Sequence, residues 1–352
     1  MDSKRLVIFV FYKTSINMKK VFLSLIVAMV ATISLSAQQI AVVKGDVTKV
    51  YNTLKDAIEG AEDGSVVYLP GGTFSIADDV KITKKLTIIG ISHKVNSDNA
   101  DGSTTINGNL FFNNGSSGSA IMGCYVTKNI NIGDTDAMVD KILIKHCNIN
   151  SVQVKNASCK DTEVNQSYLR GTSNFSNANC IITNSILHSL KNIISGYINH
   201  NVIVSNCEVL RAGFTNNYYD NFAFADVSGS NIINNFILNG QQMCRGNNNV
   251  VSNNCRGTSS WGDESIVLDA NMSWKDVFVF LDGIKTASDY SLKGTWGKNA
   301  ATDGTDIGIF GGTGFNKGAL PPVPYIQSYE IDEQTDAEGK LNIRINVKAV
   351  TE

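Results

Sequence analysis

The chain has 352 residues, 43% hydrophobic and 18% charged, a composition that suits a buried core and excludes a disordered chain. A formal net charge of -2 excludes the basic face that nucleic-acid binding calls for. Of four prolines only Pro70 precedes residue 321, and a long ladder of paired strands tolerates little proline because each one removes a backbone donor.

In chain order, the first signal starts at Met18. Lys19 and Lys20 precede an apolar run from Val21 to Leu35, and Ser36-Ala37-Gln38-Gln39 follows. This is the basic, apolar and small-residue layout of a secretory signal peptide, with cleavage expected after Ala37. The run is short for a membrane span of about twenty residues, so the mature chain is expected to be secreted or periplasmic and not to span a membrane. Residues 1–17 then read as an extension upstream of the true initiator; an uncleaved anchor is the alternative.

Leu54, Ala57, Ile58 and Ala61 share one face at helical spacing and predict a helix within 53–64. Thr53 and Asp56 form a capping pair and Gly64 supplies a stop. Short strands are expected at Val66–Leu69, Val80–Ile82 and Leu86–Ile89, with a turn at Pro70-Gly71-Gly72. An ordinary α+β protein could open this way, but the following segment argues for a solenoid.

From residue 120 a loose unit recurs: two or three β-branched residues, a small polar or Asn step, a Cys or Ser, then another apolar residue. It reads Ile121-Met122-Gly123-Cys124-Tyr125-Val126, Ile142 to Ile149, Val164 to Leu169, Ile181 to Leu187, Val202 to Val209, Ile232 to Leu238 and Val250 to Cys255. The steps are mostly near about twenty residues, the length of one solenoid coil. Stacked coils turn inward positions into columns of Ile, Val and Leu, and turn positions into columns of Asn, which tolerates left-handed backbone and bonds its copies above and below. Cys124, Cys147 and Cys207 fall on one position of the unit, so they read as small buried hydrophobes, with oxidation between adjacent coils as the alternative. After Pro321-Pro322-Val323-Pro324, alternating strands at Tyr325–Ile331 and Leu341–Val350 are expected to pair as a hairpin over the open end; a linker is the other reading.

These features resemble the pectate-lyase-like superfamily of pectate and pectin lyases, polygalacturonases, chondroitinases and alginate lyases. Leu54-Lys55-Asp56-Ala57-Ile58, Val67-Tyr68-Leu69-Pro70-Gly71-Gly72-Thr73-Phe74 and Leu86-Thr87-Ile88-Ile89-Gly90 are similar to its first coil. Asp289-Tyr290-Ser291-Leu292 and the stretch Asp303 to Gly312 resemble a closing coil. The resemblance implies an all-β fold: a right-handed parallel β-helix over 38–320 with a short N-terminal capping helix, and a C-terminal hairpin tail over 321–352. It transfers no activity by itself.

Chemistry is sparse. His93, His146, His188 and His200 have no metal-binding spacing and read as surface or turn residues. The superfamily's paired aspartates, Gly-His-Gly and catalytic Arg motifs are not found. Asp134, Asp136 and Asp140 could hold calcium, or form a solvated loop; no other cofactor is indicated. A long step before Phe236 marks an inserted loop, and loops on a rigid scaffold carry binding groups. Arg211, Asn217, Tyr218, Tyr219 and Asp226 lie there, with Arg245, Arg256 and Trp261 on the coils just after, and aromatic faces beside amides and cations suit a sugar ring. A polysaccharide or surface glycan is thus the expected partner, bound without a clear catalytic site. A lyase or glycoside hydrolase acting on acidic polysaccharide, and a purely structural or adhesive solenoid, remain the alternatives.

Overall fold

The computed structural model describes residues 39–76, 80–94, 102–203, 222–238, 242–256, 266–267, 272–280, 288–316, 325–331 and 343–348. Short strands stack in parallel register into a β-solenoid with three faces. The first face runs from Ser65–Tyr68 through Leu86–Ile89, Ala120–Met122, Leu143–Lys145, Thr162–Asn165, Cys180–Thr183, Tyr197–Asn199 and Asn231–Ile233 to Val250–Ser252. Its middle positions, Val67, Ile88, Ile121, Ile144, Val164, Ile182, Ile198 and Ile232, stack in register and are buried, because alternation on a strand sends every second side chain inward.

The second face includes Thr104–Asn107, Tyr125–Val126, Asn148–Ile149, Val202–Ile203, Phe236–Ile237 and Cys255–Arg256. The third includes Val80–Ile82, Leu110–Phe112, Ile130–Ile132, Val152–Val154, Phe222–Ser228 and Gln242–Arg245. Two long strands, Tyr168–Ala178 and Ile186–Ile194, belong to both faces and bend between them at register shifts. Ile, Val, Leu and Phe from all three faces meet in one continuous core.

From Ala120–Met122 to Val250–Ser252, each described coil passes from the first face to the second through one residue in the left-handed region: Gly123, His146, Gln166, Asn184, His200, Asn234 and Asn253, with φ between 47° and 65°. The next residue points inward: Cys124, Cys147, Ser167, Ser185, Asn201, Asn235 and Asn254, all buried. Each backbone N–H from Cys147 to Asn235 donates to the side-chain oxygen one coil on: Cys147 to Ser167 Oγ (3.1 Å), Ser185 to Asn201 Oδ1 (2.9 Å), Asn201 to Asn235 Oδ1 (2.9 Å) and Asn235 to Asn254 Oδ1 (2.9 Å) among them. These groups face no water, so the row of small polar residues supplies partners that the tight turn removes from the strand ladders.

The N-terminal helix spans Leu54–Gly60, with Thr53 Oγ1 accepting from the Asp56 N–H (3.1 Å), and it buries Leu54, Ala57 and Ile58. It is shorter than the interval 53–64: Ala61 is already extended, and Gly64 serves the following turn instead. A hairpin of Ile40–Lys44 and Val47–Tyr51 continues the first face beyond Ser65–Tyr68.

The described residues of 272–316 add no rung. The helix Trp274–Val277 and the antiparallel pair Phe278–Phe280 and Asp289–Leu292 lie with the loops up to Asn316 against the outside of the second face. Asp289–Leu292 and 303–312, which the resemblance assigns to a closing coil, belong to this flank. It covers the outward side chains Tyr168, Ile186, Val202, Phe236 and Cys255 with Trp274, Phe278, Tyr290, Ile307, Ile309 and Phe315. The turn residues face it too. Asn184 Nδ2 donates to the Ile309 and Gly311 carbonyls (3.0 and 2.7 Å), Asn234 Nδ2 to Thr302 Oγ1 (2.9 Å), and Gln166 Oε1 accepts from the Asn316 N–H (2.9 Å). The hairpin Tyr325–Ile331 with Ile343–Lys348 pairs antiparallel, as expected.

Two sequence expectations need correction. Val202–Ile203 pairs with Ile186–Leu187, so that coil's inward turn position is Asn201, not Cys207; Val202 to Val209 was aligned to the unit by its β-branched run, which lies on the second face rather than the first. Cys207 lies outside the described residues. His146 and His200 are turn residues, one of the two readings of the histidines, but both are buried, as is His93, which packs edge-on against Tyr168 at 5.2 Å between centroids. Burial, with Lys94 nearby, lowers the His93 pKa to about 3, so the ring is neutral at ordinary pH.

Candidate functional site: a polar row on the third face

The first face is a mixed outer surface, with exposed Ile181, Tyr197 and Val250, and the second is covered by the flank from Tyr168 to Cys255. The third differs in chemistry. One line of strand positions runs in unbroken register as Lys81, Phe111, Asn131, Gln153, Asn174, Lys191, Ala225 and Arg245; Lys81 is exposed, Phe111, Gln153, Asn174 and Lys191 are half-buried, and Asn131 and Ala225 are buried. The residues flanking them in the strands, such as Ile82, Phe112, Ile132, Val154, Phe175 and Leu190, are buried, which fixes the row as outward-facing. Rungs of a sheet are roughly 4.8 Å apart, so Gln153, Asn174 and Lys191 place two amides and a cation on successive rungs, with Lys81 and the Phe111 ring near one end. The row itself contains no carboxylate.

Hydrogen bonds hold this row in place. Gln153 Nε2 donates to Ser151 Oγ (2.8 Å) and the Thr172 carbonyl (3.1 Å). Asn174 Oδ1 accepts from Asn192 Nδ2 (2.8 Å) and the Ser176 N–H (3.1 Å). At the corner with the second face, Thr172 and Ser189 share a bond of 2.7 Å between their hydroxyls, and His188 Nδ1 meets Ser189 Oγ at 3.0 Å. Arg170 lies over the Tyr125 ring at 4.9 Å and donates through Nη2 to the carbonyls of Val126 and Thr127. Such anchoring limits the side-chain entropy lost when a ligand binds.

Of the residues singled out from the sequence, Arg245 takes a position in this row, paired through the strand ladder with Ala225. Asp226 follows Ala225, half-buried, in the left-handed region at φ 55°, where the third-face strand turns away. The two therefore sit on adjacent coils of one face. Arg256 does not join them, since its register with Ile237 places it on the second face. Arg211, Asn217, Tyr218, Tyr219 and Trp261 lie outside the described residues. The inserted coil is real: Asn201 and Asn235 occupy successive rungs although 34 residues separate them.

Sequence reasoning missed Gln153, Asn174 and Lys191. Single polar residues between β-branched ones look like ordinary solvent-facing strand positions, and only the register shows that they form a line. The one available signal was that Val152-Gln153-Val154 follows its unit within one residue of the offset at which Ile130-Asn131-Ile132 follows the unit before.

Among the described residues no group of three His, Cys, Asp or Glu side chains could hold a metal ion. Asp134 Oδ1 accepts from its neighbour Thr135, and Asp140 Oδ1 from the Lys160 N–H. The described cysteines, Cys124, Cys147, Cys159, Cys180 and Cys255, are free and buried. Burial raises all their pKa values, to about 12 for Cys147 and Cys255, which removes them as nucleophiles at neutral pH. No helix among the described residues is long and apolar enough to cross a membrane. Compared with the known protein families and with curated proteins, the chain matches none.

Proposed function

We propose that this is an exported β-helix protein of the pectate-lyase-like kind that binds polysaccharide along its third face. The supporting observation is the row from Lys81 to Lys191, in which the amides of Gln153 and Asn174 stand on successive rungs beside Lys191 on a rigid scaffold. A glycan chain laid along the axis meets a donor or acceptor at the Lys81, Gln153, Asn174 and Lys191 rungs, and Phe111 offers a flat apolar face for one ring. Export follows from the signal-peptide layout at Met18 to Ala37.

The test passes the purified protein over immobilised uronic-acid and neutral polysaccharides, with and without calcium, while new unsaturated and reducing ends are assayed. Retention on at least one polymer without new ends is expected. New unsaturated ends would replace binding by a lyase reaction, and new reducing ends alone by hydrolysis. No retention on any polymer would overturn the reading.

A further inference from the structure

Gln153 and Asn174 are register partners in the third-face row, both half-buried, and their hydrogen bonds fix which amide atom each presents. The Thr172 carbonyl can only accept, so the Gln153 atom 3.1 Å away is Nε2; Ser151 Oγ takes its second bond. The Ser176 N–H can only donate, so the Asn174 atom 3.1 Å away is Oδ1, which also accepts from Asn192 Nδ2. Among the described residues, Gln153 Oε1 and Asn174 Nδ2 are left without a partner. Neighbouring rungs thus present one acceptor and one donor.

Rungs about 4.8 Å apart bring an acceptor and a donor onto neighbouring coils, and a hydroxyl is a single group that can serve both. A carboxylate or sulfate oxygen would satisfy Asn174 but face Gln153 Oε1 as a second acceptor. A methyl ether would keep the acceptor and lose the donor.

We infer that Gln153 and Asn174 together read one free hydroxyl of the glycan, Gln153 accepting its proton and Asn174 donating to its oxygen. The ligand class at these rungs is a neutral, unsubstituted sugar, with charge admitted only towards Lys81 or Lys191. This rests on the polysaccharide reading above.

Asn174→Asp is the direct test, because it keeps the oxygen that Asn192 and Ser176 bond and turns the presented donor into an acceptor. Wild type and variant are titrated on immobilised xylan, galactomannan and polygalacturonate, with O-methylated xylan and galactomannan on the wild type as an arm independent of any variant's folding. Retention on a neutral polymer is expected, weakened at least about tenfold by Asn174→Asp. O-methylation is expected to abolish it. Equal retention of the variant, or of the methylated polymer, would overturn the inference. Retention on polygalacturonate alone would overturn it while leaving polysaccharide binding standing. Retention on none would overturn both.

Discussion

Asn235→Leu is expected to lower stability by about 2–6 kcal/mol, although leucine has nearly the same volume. Asn235 Oδ1 accepts from both the backbone and the side-chain N–H of Asn201, and its Nδ2 donates to the Ile198 and Ile233 carbonyls and to Asn254 Oδ1. Leucine leaves at least the Asn201 N–H and the Ile198 carbonyl buried without these partners, each costing about 1–3 kcal/mol. Asn235→Ser should recover part of the loss, since Ser167 and Ser185 fill equivalent rungs with one accepting oxygen. Urea midpoints of the three proteins check this. Equal midpoints for leucine and asparagine would mean that the row contributes nothing.

The second large effect is at the flank. Phe236 is 1% exposed although it points out of the solenoid, because Trp274 and Phe278 pack edge-on against it at 6.1 and 4.9 Å between centroids. Gly297 and Gly308 close over the ring so tightly that a Cβ on either would lie within 2.8 Å of it. Phe236→Ala is expected to cost about 3–5 kcal/mol and to loosen the flank before the coils, since the core behind the second face is untouched. Protease nicking within 272–316 at conditions where the solenoid stays intact, with a red shift in tryptophan emission, would report it. Simultaneous loss of flank and coils would show instead that the flank is part of a single cooperative unit with them.

The parallel solenoid was legible because its signal is periodic: Ile121, Ile144, Val164, Ile182 and Ile232 each stand three residues before a small or amide residue that turns the chain inward. The unit failed at Val202, where a β-branched run on the second face imitates the first-face pattern and the inserted coil breaks the spacing. The flank was hidden for a different reason. Tyr168, Ile186, Val202 and Phe236 occupy positions that are outward by alternation, and nothing local says that another segment more than thirty residues away will cover them. The site was legible only in its location. Arg245 and Asp226 pointed to the third face, but the line of side chains on it exists across coils, and rungs separated by about twenty residues leave no contiguous motif to read.

The most direct measurement compares retention on the best-bound polysaccharide for two variants of equal stability. One carries Gln153→Ala with Lys191→Ala on the third face; the other carries Ile181→Ala with Tyr197→Ala on the exposed first face. Glycan seated along the third-face row predicts that the first pair loses binding by at least about tenfold while the second binds as wild type. Loss confined to the first-face pair would contradict that placement.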